Sequence, residues 1–319
     1  MTSPVRSTRP ATVPPGAPPP LALLGVTASG KSALAMELAR HRGDVELVSV
    51  DSMQVYRGMD LGTAKPTPAE QAEVRHHVID LVDPWDPFEL HSFQAAVRDA
   101  LADIAARRRR AVLVGGTGLY LRAVVDDLDL PGRYPAVVAD LDEEPDTVAL
   151  HARLAVLDPL AASRMEPTNR RRVVRALEVT LGSGRPFSSF GPGLDAHPPS
   201  PVHLVGLWLP RDVVAARIER RYQQQVADGF VAEVARLHAG PPLSHTAAQA
   251  LGYRELLAHL RGEVTLDDAL ATAVTRTRQF ARRQRVWFRR DPRITWIGAH
   301  ADPMVAFPAL AAEAAALWD

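Results

Sequence analysis

Eight residues near the start of the chain have the types and spacing needed to hold phosphate. Gly25 is followed, after four intervening residues, by Gly30, Lys31 and Ser32, within an apolar-strand and helix pattern that spans residues 21–38. The N–H groups and dipole at a helix start attract anions, the glycines let the backbone close around them, and a hydroxyl can bind Mg²⁺. The pattern predicts a P-loop for a di- or triphosphate, with an ordinary glycine turn as the alternative.

Polar residues follow two further strand patterns. Val45–Val50 leads directly into Asp51, and 111–114 leads into a glycine turn that contains Thr117. Ligands bind outside the carboxyl ends of strands in open α/β sheets, so both side chains are expected near the P-loop's ligand. Asp51 would be a metal ligand or general base, or only a cap of the next turn; Thr117 would reach the ligand, or only cap a helix.

Composition limits the classes of protein that the chain can be. Its 319 residues contain 37 Lys+Arg and 37 Asp+Glu, so net charge indicates no class of partner. Without cysteine there are no disulfides or thiolate zinc sites, and with no apolar run long enough to cross a bilayer we expect a cytoplasmic protein with no membrane partner. Lysine occurs only at 31 and 65, and Lys65 is interpreted as a second phosphate contact or a solvated loop cation.

The order of patterns predicts an α/β fold: a P-loop NTPase-like parallel sheet core with a mostly helical insertion domain and a helical C-terminal region. Pro-rich residues 1–20 are expected to be a disordered leader. The core is assigned to residues 21–128 and 201–319, and the insertion to 129–200. Within the core, a strand is predicted over 78–82 and a helix over 89–110.

Two clusters of ionisable residues are given structural interpretations. His76 and His77 would face opposite sides of an extended segment and have no third ligand at useful spacing. We therefore reject a metal site and expect packing or a surface role for both. The run Arg107–Arg110 is interpreted as a solvated helix end, favoured by the helix dipole.

The segment 276–293 is strongly basic. It contains eight arginines against the single acid Asp291, with aromatic residues at 280, 287 and 288. Arginine contacts phosphates and aromatic rings stack on bases, which favours a nucleic-acid surface. An amphipathic helix with buried aromatics and solvated arginines explains the pattern equally well.

Seven segments together resemble one enzyme family. They are Gly25–Ser32, Asp51–Pro66, Gly115–Tyr120, Arg172–Val179, Arg217–Arg221, Ala250–Arg254 and Thr277–Arg289. The sequence DSMQVYRGMDLGTAKP of the second segment is far more specific than a P-loop. These motifs are similar to those of the bacterial tRNA dimethylallyltransferases, and they span nearly all of the chain after residue 20.

The resemblance implies a reaction and a set of partners. A dimethylallyl group would pass from dimethylallyl diphosphate to N6 of the adenosine immediately 3′ of the anticodon, in tRNAs that read codons beginning with U. The expected cofactor is Mg²⁺ held through Ser32, and the protein would be a monomer that binds tRNA and dimethylallyl diphosphate. Asp51 would be the general base and Thr117 would hold the amine.

The resemblance also assigns binding residues. Diphosphate would be held by Gly25, Thr27, Ala28, Ser29, Gly30, Lys31, Ser32, Arg217 and Arg221. Contacts to tRNA are implied for Asp51, Ser52, Met53, Gln54, Arg171, Arg172, Arg175, Gln249, Gly252, Tyr253, Arg254, Arg282, Arg283, Gln284, Arg285, Trp287 and Arg289. The insertion domain would contribute to this surface.

The chain departs from the family pattern at two positions, and other functions compete. Val26 stands where the family usually has proline, and Val138 where it commonly has an arginine that contacts tRNA. An ATP-dependent small-molecule kinase shares the P-loop but does not explain the basic helix or the insertion. An adenylate isopentenyltransferase would not need the extended basic surface, and a GTPase-like RNA-binding module would need a guanine-specificity loop, which the sequence lacks.

Overall fold

A computed structural model describes residues 12–191 and 193–318. The chain forms two compact units: one comprises the chain up to Val125 together with the part from Pro199 onwards, and the other is Asp126–Pro198. The sequence placed these boundaries at 129 and 200. Among the described residues, no helix combines the length and apolar character required to cross a bilayer.

The first unit contains a six-stranded parallel sheet. Its strands are β1 (Leu21–Gly25), β2 (Val45–Val50), β3 (His76–His77), β4 (Arg110–Gly115), β5 (His203–Trp208) and β6 (Thr295–Gly298), in the order β3-β2-β4-β1-β5-β6. Gly115 pairs with Val50 on one side and with Leu24 on the other, so β2, β4 and β1 end at the same level. The segments that follow these three strands therefore begin at one edge of the sheet.

Helices cover the sheet and form the second unit. They are α1 (Lys31–Arg42), α2 (Pro68–Glu73), α3 (Leu90–Ala106), α4 (Gly118–Val125), α5 (Pro135–Asp142), α6 (Thr147–Leu157), α7 (Pro159–Ser163), α8 (Arg170–Ser183), α9 (Arg211–Ala227), α10 (Phe230–His238), α11 (His245–Ala248), α12 (Tyr253–Leu260), α13 (Leu266–Phe288) and α14 (Phe307–Ala316). Along β1, Ala22 and Leu24 join one buried cluster while Leu21 and Leu23 join another, as alternation along a strand requires. The sheet is thus buried on both faces, which suits a parallel sheet.

The second unit has its own small core, formed where α5, α6 and α8 pack together. Leu141, Leu154 and Leu177 are buried at its centre. Side chains cap α6, α7 and α8, but not α5: at the start of α6, Asp146 Oδ1 accepts from the N–H of Val148. A strictly local signal, a cap followed by an apolar stripe, accounts for these helices.

Two predicted elements of the first unit are wrong. The strand is His76–His77 and not 78–82, because Val78 and Asp80 have φ angles of 63° and 54°, which extended chain excludes. The helix predicted over 89–110 ends at Ala106, and Arg110 begins β4. Because α3 ends before Arg107 and Arg110 already lies in β4, the helix dipole does not explain the whole run Arg107–Arg110.

The two histidines form β3, the outermost strand on one side of the sheet, and His77 and Arg107 are bonded to the same residue of β2. His77 Nε2 lies 2.7 Å from Glu46 Oε2, and Arg107 Nη2 donates to the same oxygen over 2.7 Å. His76 Nδ1 lies 2.7 Å from the Val74 carbonyl oxygen. The histidines have the packing role expected of them, but Arg107 is ion-paired to buried Glu46 and is not merely solvated.

The predicted disorder of residues 1–20 is wrong for the described part, 12–20. Thr12 is buried, Val13 packs against the core, and Trp318 Nε1 donates to the Pro19 carbonyl over 2.7 Å. Composition missed this because the segment is held by contacts with distant parts of the chain. Residues 1–11, the remainder of that prediction, lie outside the described residues.

Candidate active site

The P-loop joins β1 to α1 in a turn where two glycines are sterically required. A Cβ at Gly25 would lie 2.7 Å from Ser29 Oγ. Gly30 has a φ of 96°, and a Cβ there would lie 2.7 Å from the ring of Phe307. The backbone passes directly from this turn into the N-terminus of α1, the arrangement that presents unpaired N–H groups to an anion.

Two cations and one carboxylate meet at the loop. Burial, opposed by the Asp51 carboxylate and aided by the charge of Arg221, lowers the pKa of Lys31 to about 8. Burial also lowers the pKa of the Arg221 guanidinium, against the effects of Tyr222 and Asp51. Because one carboxylate does not compensate two desolvated cations, the cluster favours a bound anion.

Arg221 has hydrogen-bonding capacity left over. Its Nη1 donates to Thr27 Oγ1 over 2.9 Å, while its Nε is buried and, within the described part of the chain, has no hydrogen-bond partner. Ser29 Oγ is buried and unpartnered in the same sense. A buried donor without a partner costs roughly 1–3 kcal/mol. An oxyanion at the loop would satisfy such groups.

The structure is compatible with both roles considered for Asp51, a cap of the turn and a group that acts at the site. It follows β2, and its Oδ1 accepts from the N–H of Met53 over 2.8 Å, so it caps the turn. The same carboxylate acts on the pKa values of Lys31 and Arg221, so it also faces the cationic site. The bond to Met53 holds Oδ1, and the carboxylate is near enough to Lys31 and Arg221 to act on their pKa values.

The glycine turn after β4 lies against the end of β2. A Cβ at Gly115 would be 2.2 Å from the carbonyl oxygen of Val50, so no larger residue fits. Thr117 precedes α4, and its hydroxyl makes no hydrogen bond with any described residue. The structure therefore offers no N-cap role for this hydroxyl and leaves it available to a ligand.

Arg217, which was predicted to contact the diphosphate, is hydrogen-bonded within the protein. Its Nε donates to the Ala28 carbonyl over 2.8 Å, and its Nη1 is 2.6 Å from Asp302 Oδ1. Arg220 Nη2 binds the other Asp302 oxygen over 2.8 Å. Arg217 thus supports the P-loop backbone through Ala28, and its charge is paired with an acid. No acid among the described residues is bonded to Arg221.

Lys65 is neither a phosphate contact nor a solvated cation, so both interpretations are wrong. Its side chain is 2% exposed. Its Nζ donates to Asp80 Oδ1 over 2.5 Å, to Asp60 Oδ1 over 2.6 Å and to the Tyr56 carbonyl over 2.9 Å. Asp80 makes this contact from a backbone conformation with positive φ. Lys65 closes the loop that begins at Asp51.

A buried carboxylate holds the same loop from another side. Glu233 of α10 accepts from the backbone N–H groups of Asp60 and Leu61 over 3.1 and 2.9 Å, and from Tyr253 Oη over 2.5 Å. The Gln54 amide donates to the carbonyl oxygens of residues 63 and 64. The loop is thus fixed both by its own contacts and by Glu233, which lies far from it in the sequence.

Part of the predicted tRNA surface is exposed. The exposed arginines are Arg171, Arg172, Arg254, Arg282, Arg283 and Arg289, and Gln249 is exposed as well. Arg254 donates to Gln249 Oε1 over 2.9 Å, while Ser52 and Met53 are half-buried. Arg285 is half-buried and donates to the Leu209 carbonyl; burial, with Arg211 and Arg289 nearby, lowers its pKa. An arginine helix with few acids is the pattern of a phosphate-binding surface.

Other predicted tRNA contacts are engaged within the protein. Tyr253 is fully buried, and Gly252, whose φ is 86°, turns the chain into α12. Arg175 donates to the carbonyl oxygens of residues 131 and 132 and is 2.8 Å from Glu178. Trp287 packs against Gly118, where a Cβ would be 2.3 Å from the indole. Gln54 and buried Gln284 are likewise bonded within the protein, and the tRNA contacts predicted for all of these residues stay predictions.

Sequence reasoning missed the residues that support the site from a distance. Asp80 and Glu233 bind residues of the loop after β2, and Asp302 binds Arg217 of α9, which in turn donates to the P-loop. Their separations along the chain leave no local pattern to detect. The rarity of lysine did mark Lys65 as unusual, but it could not name the carboxylates that surround it.

Comparisons with known proteins agree with this geometry. The family model for IPP transferase matches residues 54–291, and the one for isopentenyl transferase matches residues 21–81. A tRNA dimethylallyltransferase of Kineococcus radiotolerans is 46% identical over 297 residues, covering 90% of this chain and 93% of the relative. One from Bifidobacterium animalis is 45% identical over 288 residues, covering 88% and 82%.

Solved structures show the same fold. The tRNA isopentenylpyrophosphate transferase of Bacillus halodurans superimposes with a TM-score of 0.68 at 36% identity, over 93% of this chain and 96% of that one. A eukaryotic dimethylallyltransferase acting on tRNA has a TM-score of 0.77 at 24% identity, over 93% and 77% of the two chains. The P-loop NTPase-like fold predicted from the sequence is confirmed. With these matches over most of its length, the chain belongs to the tRNA dimethylallyltransferase family of prenyltransferases.

Proposed function

We propose that the protein transfers a dimethylallyl group from dimethylallyl diphosphate to N6 of the adenosine immediately 3′ of the anticodon in tRNAs that read codons beginning with U. The observation that carries this is the cationic P-loop cluster of Lys31 and Arg221 beside Asp51, which acts on both cations. The diphosphate of the donor supplies the negative charge that this cluster lacks. The adenosine amine then meets Asp51 and Thr117 at the adjoining strand ends.

The chemistry is a substitution at the allylic carbon. The N6 lone pair forms the new N–C bond while the C–O bond to diphosphate breaks and its electron pair leaves with the diphosphate. Negative charge therefore develops on the leaving group, where Lys31 and Arg221 stabilise it without reorganising. The Asp51 carboxylate accepts the proton from N6, and the free hydroxyl of Thr117 accepts the amine's second hydrogen bond.

The site fits a magnesium ion through one protein ligand. Ser32 is exposed in the first turn of α1, where its hydroxyl oxygen would bind Mg²⁺ together with diphosphate oxygens. Mg²⁺ prefers hard oxygen ligands and is often held by few protein groups plus substrate phosphates. When bound, the ion would neutralise charge on the diphosphate. Lys31 and Arg221 contribute the protein's own part of that stabilisation.

The acceptor must leave its base stack to reach these residues. The exposed arginines of α13, Arg282 and Arg283, would contact the phosphates of the RNA backbone and fix its register, which a free nucleotide does not require. This favours a tRNA substrate over AMP. We also propose that the protein is cytoplasmic and monomeric.

Incubation with labelled dimethylallyl diphosphate and unmodified tRNA, AMP or ATP tests the function. We expect label to enter tRNA alone, and digestion to nucleosides should give N6-(dimethylallyl)adenosine. Transfer to AMP with none to tRNA would identify the free-nucleotide activity. The Lys31→Ala variant serves as the control for background transfer.

A further inference from the structure

Gln284 lies on the buried face of α13 and joins two loops of the site. Gln284 is buried, with 6% of its surface exposed. Its Oε1 accepts from the Thr27 N–H over 2.8 Å, and its Nε2 donates to the Gly116 carbonyl over 2.8 Å. Thr27 belongs to the P-loop and Gly116 to the turn that carries Thr117, so one amide connects both.

The fit around this amide leaves no slack. A Cβ at Gly116 would lie 2.4 Å from Gln284 Nε2 and 3.0 Å from the Gly25 carbonyl oxygen. The turn, the P-loop and the amide are therefore in mutual contact. A change in the length of this side chain would alter the separation of the two loops.

The chemistry of the contact requires a primary amide. An N–H group on one side needs an acceptor, and a carbonyl on the other needs a donor, which an amide supplies together. Methionine has a similar length but would leave both backbone groups unsatisfied in a buried place. Glutamate keeps the acceptor for Thr27 but sets a carboxylate oxygen against the Gly116 carbonyl.

We propose that Gln284 is a positioning residue that sets the distance between the diphosphate held by the P-loop and the amine held at Thr117. The role rests on the proposed transfer reaction. Substitution requires the nucleophile and the leaving group to be in line on opposite sides of one carbon, and a misplacement of about 1 Å can reduce the rate roughly 10²-fold. Gln284 acts through the two loops and does not itself touch the reacting atoms.

Hydrogen exchange tests the contact directly. In Gln284→Met the Thr27 amide should exchange faster than in the parent protein, because its acceptor is gone. Gln279→Met is the matched control, since Gln279 is exposed on the same helix and should leave Thr27 exchange unchanged. Equal Thr27 exchange in Gln284→Met and the parent would overturn the proposal without bearing on the reaction.

Steady-state kinetics with tRNA and dimethylallyl diphosphate test the role. We expect kcat of Gln284→Met to fall roughly 10²-fold while both KM values change by less than about threefold. In Gln284→Glu, kcat relative to the parent should recover as pH falls, because a protonated carboxyl can again donate to Gly116. Gly116→Ala, which displaces the amide from the opposite side, should lower kcat in the same way.

The outcomes separate the role from the reaction. Faster Thr27 exchange with a parental kcat would make Gln284 a purely structural contact and overturn its positioning role. If Gln284→Met does not fold, Gln284→Glu and Gly116→Ala decide the question by the same two readouts. A parent protein that transfers no dimethylallyl group to tRNA would overturn the reaction and the role together, while leaving the exchange result as a finding on the contact.

Discussion

The two lysines of the chain occupy opposite electrostatic situations. Lys65 is surrounded by two carboxylates and a carbonyl oxygen within 2.9 Å, in the loop that follows β2. Lys31 lies beside a second cation, Arg221, and burial lowers its pKa to about 8. A buried cation with sufficient negative charge stabilises the fold; one without it makes the protein ready for an anionic ligand.

The same contrast separates pairs of arginines. Arg217 is held by Asp302, whereas Arg221 keeps a buried Nε that has no partner among the described residues. On α13, Arg278 is 2.6 Å from Glu219, whereas Arg283 lies over the ring of Phe280 with no acidic partner in the described chain. The presence of a bonded acid therefore distinguishes structural from ligand-binding cations, and this distinction can be tested.

The largest effect is expected at the carboxylate between the cations. Asp51→Asn keeps the shape of the side chain and the cap to Met53, but an amide cannot accept the proton from N6. Turnover should fall by roughly 10² to 10⁴ while the KM values stay near those of the parent, as measured by steady-state kinetics. Unchanged turnover would leave Asp51 as a capping residue only.

Lys31→Met removes the insufficiently compensated cation. Turnover should fall by roughly 10² to 10³, the loss typical for one charge-stabilising donor, with tRNA affinity retained. Thermal unfolding should show no loss of stability, because a desolvated charge has been replaced by an apolar chain of similar length. Near-parental turnover would contradict the assignment of Lys31 to the diphosphate.

Lys65→Met is the same chemical change in the opposite surroundings. It leaves Asp60 and Asp80 facing each other without a cation, and we expect the free energy of unfolding to fall by about 1–3 kcal/mol, moderated by the exposure of both acids. Denaturant titration measures this loss. A stability equal to that of the parent, or a turnover loss as large as that of Lys31→Met, would remove the distinction between the two lysines.

The parts of the fold that were predictable are those with local signals. β2 has the predicted bounds, Val45–Val50, since an apolar strand pattern acts over a few residues. Asp51 and Thr117 were placed correctly at strand ends because parallel topology aligns those ends. Topology therefore carried the main features of the site from sequence alone.

The remainder depended on contacts between distant residues. Gln284 was assigned to RNA, yet its partners are Thr27 and Gly116, 257 and 168 positions away. The short strand β6 and the loop conformation at Asp80 have no comparable local signal. Exposure also could not be read from composition: Tyr253, in a motif implied to bind tRNA, is fully buried.

The pH dependence of anion binding gives a smaller, graded test of Lys31. Since its pKa in the folded protein is about 8, below the ordinary 10.5, the free protein loses this proton as pH rises through 8. Bound diphosphate favours the charged form of Lys31. The Kd of diphosphate should therefore rise above pH 8 by up to about tenfold per pH unit. Calorimetry with inorganic diphosphate measures this, and Lys31→Met should show no such rise. A parental Kd that is constant between about pH 7 and 9.5 would contradict the assignment.

The smallest effect concerns the arginines of α13 and extends the contrast to the RNA surface. Arg283→Gln removes a cation without a bonded acid, so tRNA should bind more weakly and the slope of log K against log salt should fall by roughly 0.7 to 0.9. Arg278→Gln is the matched control: its cation is already paired with Glu219, so the slope should change less. Affinities measured at several salt concentrations decide, and dimethylallyl diphosphate binding should be unaffected in both variants. If the two variants shift the slope equally, pairing with an acid does not determine which arginines reach RNA; if neither shifts it, Arg283 belongs to a solvated helix face.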